Sequence, residues 1–487
     1  MPKSILSAKQ KSSSLADGVI FMDKTVSASR HGVARRAAPH EFAVEFIEIA
    51  KLALPMVLTQ LGQVAMMTTD LAFIGRIGVE AVAAAALAVK VYFVSITFGM
   101  GLLAASATFA AQAFGASNLA VVRRSLRMGL WIALLLSVPI MAILLCSEQI
   151  LLALGQAPDA ARLAQQYLVG VAWGVAPVLC FLAIRDFMAA VNRPEPVLWI
   201  TLAVIPVNAL LVYLLMYGDF GLPRLELFGA GLARTLVNSA MFLAGLWFAT
   251  MRYPFRDYHV LAHFWRFDWP LMRRLVTIGT PISMVLLMEC GISFAAVVLM
   301  GVIGTNALAA HQVASQVAAI LFMIPFGISM AATVRVAHAV GRNDRAGIKR
   351  ASLAAMLFGI VIVTILTFAI TGGRFEIAKF FLGVSVDDAT IELAARLLLV
   401  GASLFVTEAI YTIAWGSLRG LKDTRVPLLL AGIAYWLIGF SLSYVLGLKI
   451  GLGAMGIWLG LSIGAAVHAA LLVMRFQVLA SRIALQS

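Results

Sequence analysis

The chain has 487 residues, of which 62% are hydrophobic and only 12% are charged, and its mean hydropathy is +0.96. This composition excludes a soluble globular domain and predicts an all-α integral membrane protein. The formal net charge of +14 comes from basic residues spread over short loops, which argues against a nucleic-acid-binding patch. Cys146, Cys180 and Cys290 lie in or beside apolar segments without disulfide or metal-ligand spacing, so we interpret them as core residues.

Residues 1–45 are polar, rich in Ser and basic residues, and lack the apolar core of a signal peptide. We expect them to form a disordered cytoplasmic tail. A transit peptide is the alternative interpretation, and the acids Asp17, Asp23, Glu41 and Glu45 count against it.

Apolar runs after this tail predict twelve transmembrane helices. They begin near Phe46, Ala81, Val121, Ala161, Val197, Gly229, Leu275, Ala307, Ala351, Ile391, Pro427 and Gly453. The polar and aromatic segment 251–274 separates them into two groups of six, and its mixture of aromatic and basic residues is typical of the headgroup interface. We therefore expect an N-lobe at 46–250, a cytoplasmic connector at 251–274, a C-lobe at 275–475 and a cytoplasmic C-terminal tail at 476–487.

Basic residues in the loops predict the orientation. With the N-terminus in the cytoplasm, 27 Lys and Arg side chains fall on the inside and seven on the outside. The positive-inside rule then places both termini in the cytoplasm, and we expect a multi-pass protein of the cell inner membrane.

The two halves are related in sequence. A shift of 226 residues pairs Pro55 with Pro281, Gly75 with Gly301, Gly101 with Gly327 and Gly115 with Gly341, and a shift of 231 pairs Pro196 with Pro427. Because each half has an even number of spans, both enter the membrane from the same side, which predicts a parallel repeat. Two such lobes around a cleft suit alternating access.

Three carboxylates stand within the predicted spans: Asp70, Glu289 and Glu408. Each would cost about 2.5–3.5 kcal/mol at the bilayer centre, so we expect them to face an aqueous interior instead of lipid. They do not follow the repeat, since the shift of 226 pairs Glu289 with Gln63 and Asp70 with Ala296. This asymmetry indicates function more than scaffolding.

Helical spacing predicts the neighbours of each acid. Tyr411, Thr412 and Trp415 share the face of Glu408, where a carboxylate and two rings could hold a cation. The alternative places Tyr411 and Trp415 in the interfacial aromatic belt.

Ser293 shares the face of Glu289, and Gln63 shares that of Asp70, which could instead pair with Arg76. His311 and His338 are the histidines of the C-lobe spans that could shuttle protons, and we interpret both as packing or hydrogen-bonding groups.

Several segments resemble the multidrug and toxic compound extrusion (MATE) family in its NorM-like bacterial branch. They include TTDLAFIGRIG at 68–78, TPISMVLLMECGISF at 280–294 and EAIYTIAWGSLRGLKDT at 408–424, and their order along a duplicated chain is specific. The resemblance implies two pseudo-symmetric six-helix lobes around a central cleft. It also implies export of amphipathic organic cations in exchange for sodium ions or protons.

By the same resemblance, Glu289 and Glu408 bind the coupling ion, as possible sodium ligands or proton carriers, and Asp70 is an N-lobe acid that we also predict to take part in cation coupling or substrate binding. The branch usually has Asp where this chain has Glu408. Of an asparagine pair in the fifth span, Asn208 is present and the other position is Val204.

We therefore predict a multidrug efflux antiporter that is a monomer, uses no cofactor and is not an enzyme. A proton or sodium ion would neutralise Glu289 or Glu408 and release the cationic drug. A lipid-linked precursor flippase is the alternative, but only Lys51, Lys90 and Arg234 supply basic groups near membrane depth. A prenyltransferase is disfavoured because no span contains DxxxD or DDxxD.

Overall fold

A computed structural model describes residues 41–218, 223–260, 264–383 and 387–485. The chain divides into two units, Met1–Glu48 and Ile49–Ser487. In the first unit, residues 41–48 are helical, so helix formation begins before the predicted Phe46, and the rest of the predicted tail lies outside the described residues. Everything below concerns the second unit.

In the first half of the chain, the described residues form eight α-helices. Their bounds are 41–74 for α1, of which 49–74 belong to the second unit, Val79–Gly115 for α2, Leu119–Leu145 for α3, Ser147–Ala153 for α4, Pro158–Ala172 for α5, Val175–Ala190 for α6, Glu195–Tyr217 for α7 and Glu226–Met251 for α8. The connector that follows includes a short 3₁₀ helix at Phe255–Tyr258.

The second half repeats this order. Its helices are Trp269–Ile303 (α9), Thr305–Gly341 (α10), Arg345–Gly372 (α11), Arg374–Leu382 (α12), Asp388–Gly420 (α13), Arg425–Lys449 (α14) and Gly453–Leu485 (α15). Within α14, the segments Gly432–Phe440 and Val445–Lys449 are π-helical. Such turns are uncommon and are frequent at functional sites.

The helices agree with the predicted spans. Among the described residues, ten single helices are long and apolar enough to cross a membrane, and the pair α5 and α6 forms an eleventh that is bent by 52°. Helix α1 covers the remaining predicted span. The sequence did not predict the short helices α4 and α12, which occupy equivalent places in the two halves.

Close contacts join the lobes from the middle of the helices to the end where α2, α6, α10 and α13 finish and α9 begins. We call it the basic end, because the loops there carry most of the Lys and Arg residues. A methyl group added to Gly101 of α2 would overlap the backbone of Ser283 in α9, and one added to Gly327 of α10 would overlap that of Val57 in α1. Ser283 is the counterpart of Val57 at the shift of 226, so the same contact occurs twice.

Two hydrogen bonds at the basic end follow the same symmetry. Gln112 Nε2 in α2 donates to the carbonyl oxygen of Gly420 at 2.8 Å, and His338 Nε2 in α10 lies 2.7 Å from that of Ala190. Gln112 and His338 are counterparts, and the two carbonyls belong to the last residues of α13 and α6, where a helix leaves its C=O groups without intrahelical partners. We call these four residues the interlobe clasp.

Candidate functional site

The two acids of the C-lobe meet at one hydroxyl group. Tyr411 Oη lies 2.7 Å from Glu289 Oε1 and 3.1 Å from Glu408 Oε1. Glu289 comes from α9, whereas Glu408 and Tyr411 lie one helical turn apart on α13. The structure therefore brings together three of the residues that the sequence analysis selected.

The two carboxylates and the phenol can together bind one additional proton or one cation. A phenol has a single O–H, so it can donate to only one of the two carboxylates. The second short contact needs a proton on a carboxyl group, which then donates to the phenol oxygen. In the described part of the chain, neither carboxylate belongs to an ion pair. A proton or a cation at this point would therefore be shared by both acids.

Aromatic rings pack around Tyr411. The Tyr411 ring centroid lies 5.0 Å from that of His468 in α15 and 6.0 Å from that of Tyr435 in α14. His468 is only 1% exposed, and neither of its ring nitrogens has a hydrogen-bond partner among the described residues. This third histidine of the C-lobe spans was not among the predicted site residues. Its position within the otherwise apolar run VHAALLVM is the sequence feature that indicates a function for it.

The other two C-lobe histidines are placed as structural groups. His311 Nδ1 accepts a hydrogen bond from Trp458 Nε1 at 3.1 Å. His338 belongs to the interlobe clasp. Neither is among the residues that contact the acid pair.

The remaining predicted neighbours of the C-lobe acids lie apart from the carboxylates. Trp415 is buried at 4% exposure, so the aromatic-belt interpretation is wrong for it, and the Arg419 guanidinium carbon lies 4.2 Å from its ring centroid. Thr412 is also buried, where α13 packs against α10. The Ser293 hydroxyl donates to the backbone oxygen of Glu289 and not to its carboxylate.

The N-lobe acid is held differently. Asn208 Nδ2 donates to Asp70 Oδ1 at 2.6 Å, and Arg234 Nη1 of α8 lies 3.5 Å from Asp70 Oδ2. The predicted pairing of Asp70 with Arg76 is wrong, because the Arg76 guanidinium lies over the Phe73 ring. Gln63 is half-buried, and its side chain makes no hydrogen bond within the described residues. Asp70 is therefore neutralised by a permanent cation.

A small cavity lies between the lobes near the basic end. It measures about 40 Å³ and is lined by Arg185 and Asp186 of α6, Leu286 of α9 and Arg419 of α13, among others. Arg185 pairs with Asp186 at 3.1 Å. A space of this size admits water but not a drug-sized molecule.

Three of the 27 basic residues assigned to the inside, Arg127, Arg185 and Arg419, are buried within helices and do not belong to loops. Without them, 24 basic residues remain against seven, so the predicted orientation is unchanged.

Comparison with known proteins adds the family. The family model MatE matches the chain twice, over residues 55–214 and 281–445, and the two matches begin 226 residues apart. A probable multidrug resistance protein NorM from Bradyrhizobium diazoefficiens is 58% identical over 445 residues, which cover 91% of this chain and 96% of the relative. The protein of the same description from Rhodopseudomonas palustris is 51% identical over 448 residues, covering 91% and 94%.

A solved structure has the same fold. The outward-facing conformation of a multidrug resistance MATE family transporter of the MOP superfamily matches with a TM-score of 0.82, at 19% identity, over 90% of this chain and 96% of that one. At this identity the match concerns the fold alone. The repeated family match and the high identity along nearly the whole chain show that the chain belongs to the MatE family.

Proposed function

We propose that this chain is a multidrug efflux antiporter, which exports amphipathic organic cations in exchange for a proton or a sodium ion by alternating access. The names of its relatives and its family support transport and not catalysis. The observation that carries the proposal is the Tyr411 hydroxyl between Glu289 and Glu408.

The acid pair provides competition between two kinds of cation. When a cationic drug occupies the space beside the carboxylates, their negative charge holds it. When a proton or sodium ion neutralises one carboxylate, that attraction weakens and the drug is released. The rings of Tyr435 and His468 are buried against Tyr411, so they would hold the shared hydroxyl in place between the two acids.

Of the two ions, the geometry favours the proton. One added proton satisfies all the oxygens that meet at Tyr411, because the protonated carboxyl donates to the phenol and the phenol donates to the other carboxylate. A hard cation would instead need several oxygen ligands.

The clasp gives the transport step its direction. With the basic end in the cytoplasm of a cell whose inner membrane holds the protein, the closed clasp seals the cytoplasmic side. The coupling ion then enters the acid pair from outside, and the drug leaves in that direction. Breaking the clasp would open the cleft to the cytoplasm for the next drug.

A liposome assay tests this function. Purified full-length protein is reconstituted, ethidium is supplied as the cation, and a proton or a sodium gradient is imposed separately. We expect dye movement driven by the proton gradient and lost in Glu289→Gln. Dye movement driven only by sodium would overturn the choice of ion, and movement of a lipid-linked precursor without either gradient would favour the flippase.

A further inference from the structure

A second cavity opens at the basic end, on the seam between the lobes. It measures about 650 Å³ and is lined by Phe109 of α2, Trp269, Arg273 and Arg274 at the start of α9, and Lys422 between α13 and α14. Phe109 belongs to the N-lobe. The other four residues lie on the C-lobe side, because α9 begins at Trp269, six residues before the predicted C-lobe boundary at 275, and Lys422 lies between α13 and α14. A ligand in this cavity would therefore touch both lobes.

Positive charge in this cavity is not compensated. In the described part of the chain, Arg273, Arg274 and Lys422 have no ion-pair partner. The acids nearest in sequence are already engaged, since Asp268 pairs with Arg124 at 3.5 Å and Asp423 with Arg475 at 2.8 Å. Burial and the nearby Arg274 lower the pKa of Lys422 to about 8.

Aromatic groups line the same space. Trp269 is 66% exposed, beside two exposed arginines at the beginning of a membrane helix. Trp with Arg is the combination that membrane proteins place at the level of the lipid headgroups. The Lys422 ammonium lies 3.8 Å from the centroid of the Phe109 ring, so a cation–π contact joins the two lobes at this cavity.

We propose that this cavity binds the phosphate headgroup of an anionic phospholipid. Basic pockets between membrane helices on the cytoplasmic side bind such headgroups, and three basic groups converge here on one space. Lys422 is two residues from Gly420, whose carbonyl accepts the Gln112 bond of the clasp. A bound headgroup therefore favours the conformation in which the basic end is closed. The inference does not depend on which ion drives transport.

Thermal unfolding of the full-length protein in detergent tests the site. Phosphatidylcholine, phosphatidylglycerol and inorganic phosphate are added separately, and the midpoint is followed against ligand concentration. We expect phosphatidylglycerol to raise the midpoint, and the double variant Arg273→Gln/Arg274→Gln to weaken its apparent affinity by more than about tenfold. The matched control is Arg342→Gln/Lys349→Gln, which removes two exposed charges from another part of the same end.

Two outcomes would overturn the proposal. One is an equal loss of affinity in the control and in the double variant. The other is inorganic phosphate raising the midpoint as strongly as the lipid does, which would make this a site for free phosphate. If the double variant does not fold, Lys422→Asn applies the same test, because Asn tolerates the left-handed backbone at φ 61°. The expected result is then about a fivefold loss of affinity for phosphatidylglycerol.

Discussion

The two lobes repeat one scaffold but treat buried charge in opposite ways. In the C-lobe, Glu289 and Glu408 share the hydroxyl of Tyr411 and have no ion-pair partner among the described residues. In the N-lobe, Asp70 is paired with Arg234 and bonded to Asn208. A carboxylate that carries a permanent counter-charge has little to gain from a mobile cation. A pair that shares one hydrogen can accept and release one, so we propose that exchange takes place in the C-lobe and that Asp70 has a structural role.

Substitution of the C-lobe acids should have the largest effect on transport. Glu289→Gln and Glu408→Gln each remove the charge for which drug and ion compete, so gradient-driven dye transport in liposomes should be lost while folding is kept. Glu376→Gln, at an exposed acid of α12, is the matched control and should transport normally. Full transport by Glu289→Gln would remove that residue from the exchange.

The N-lobe pair should show its role in stability. Arg234→Gln leaves a largely buried carboxylate without its cation and should lower the free energy of unfolding by about 3–5 kcal/mol, measured as a lower unfolding midpoint in detergent. Adding Asp70→Asn to Arg234→Gln should restore part of the loss.

The exposed ion pair of Glu392 and Arg396 serves as the control for the Arg234 and Asp70 variants. Arg396→Gln should lower the free energy of unfolding by less than about 1 kcal/mol. A double variant no more stable than Arg234→Gln alone would argue against the ion pair.

Removing the shared hydroxyl should give an intermediate effect. Tyr411→Phe keeps the ring beside His468 but takes away the hydrogen bonds to both acids. A hydrogen bond to a charged group contributes about 1.5–3 kcal/mol, so the unfolding midpoint should fall and the rate of coupled transport should fall about tenfold or more. Tyr444→Phe, at a partly exposed tyrosine of α14, is the control. Equal rates in the two variants would contradict the role of Tyr411.

The smallest effect is expected where the lobes are alike. Gln112→Ala and His338→Ala each remove one clasp bond, worth about 1 kcal/mol, and should shift the balance between closed and open basic ends by about fivefold. Labels at the exposed Ala116 and Arg342 lie close together across the seam, so the dipolar broadening of their continuous-wave electron paramagnetic resonance spectra would report that balance. Equal shifts in both variants support equivalent roles. No shift in either variant would show that the clasp does not stabilise the closed basic end.

Hydropathy and the repeat predicted the helices and their order. The length of an apolar run can be read from the sequence directly, and so can the similarity of two segments. Partners between helices were not predictable in the same way. Asp70 pairs with Arg234, which is distant in sequence, and not with Arg76 nearby, because the choice depends on how α1 and α8 pack.

The same reason explains why Tyr411 was predicted near Glu408 by helical spacing, whereas its bond to Glu289 required the structure. Its contact with His468 depends on the position of α15 and lay equally beyond the sequence pattern.

The glycine contacts at the seam have the form of a two-fold dimer interface. Gly101 meets Ser283 while Gly327 meets Val57, so position i of one half touches position j of the other, and j touches i in return. In a true homodimer, any substitution would appear on both sides of the axis at once. Because each half here has its own stretch of sequence within one chain, each side can vary alone, so the acid pair of the C-lobe and the ion pair of the N-lobe can differ on the same scaffold.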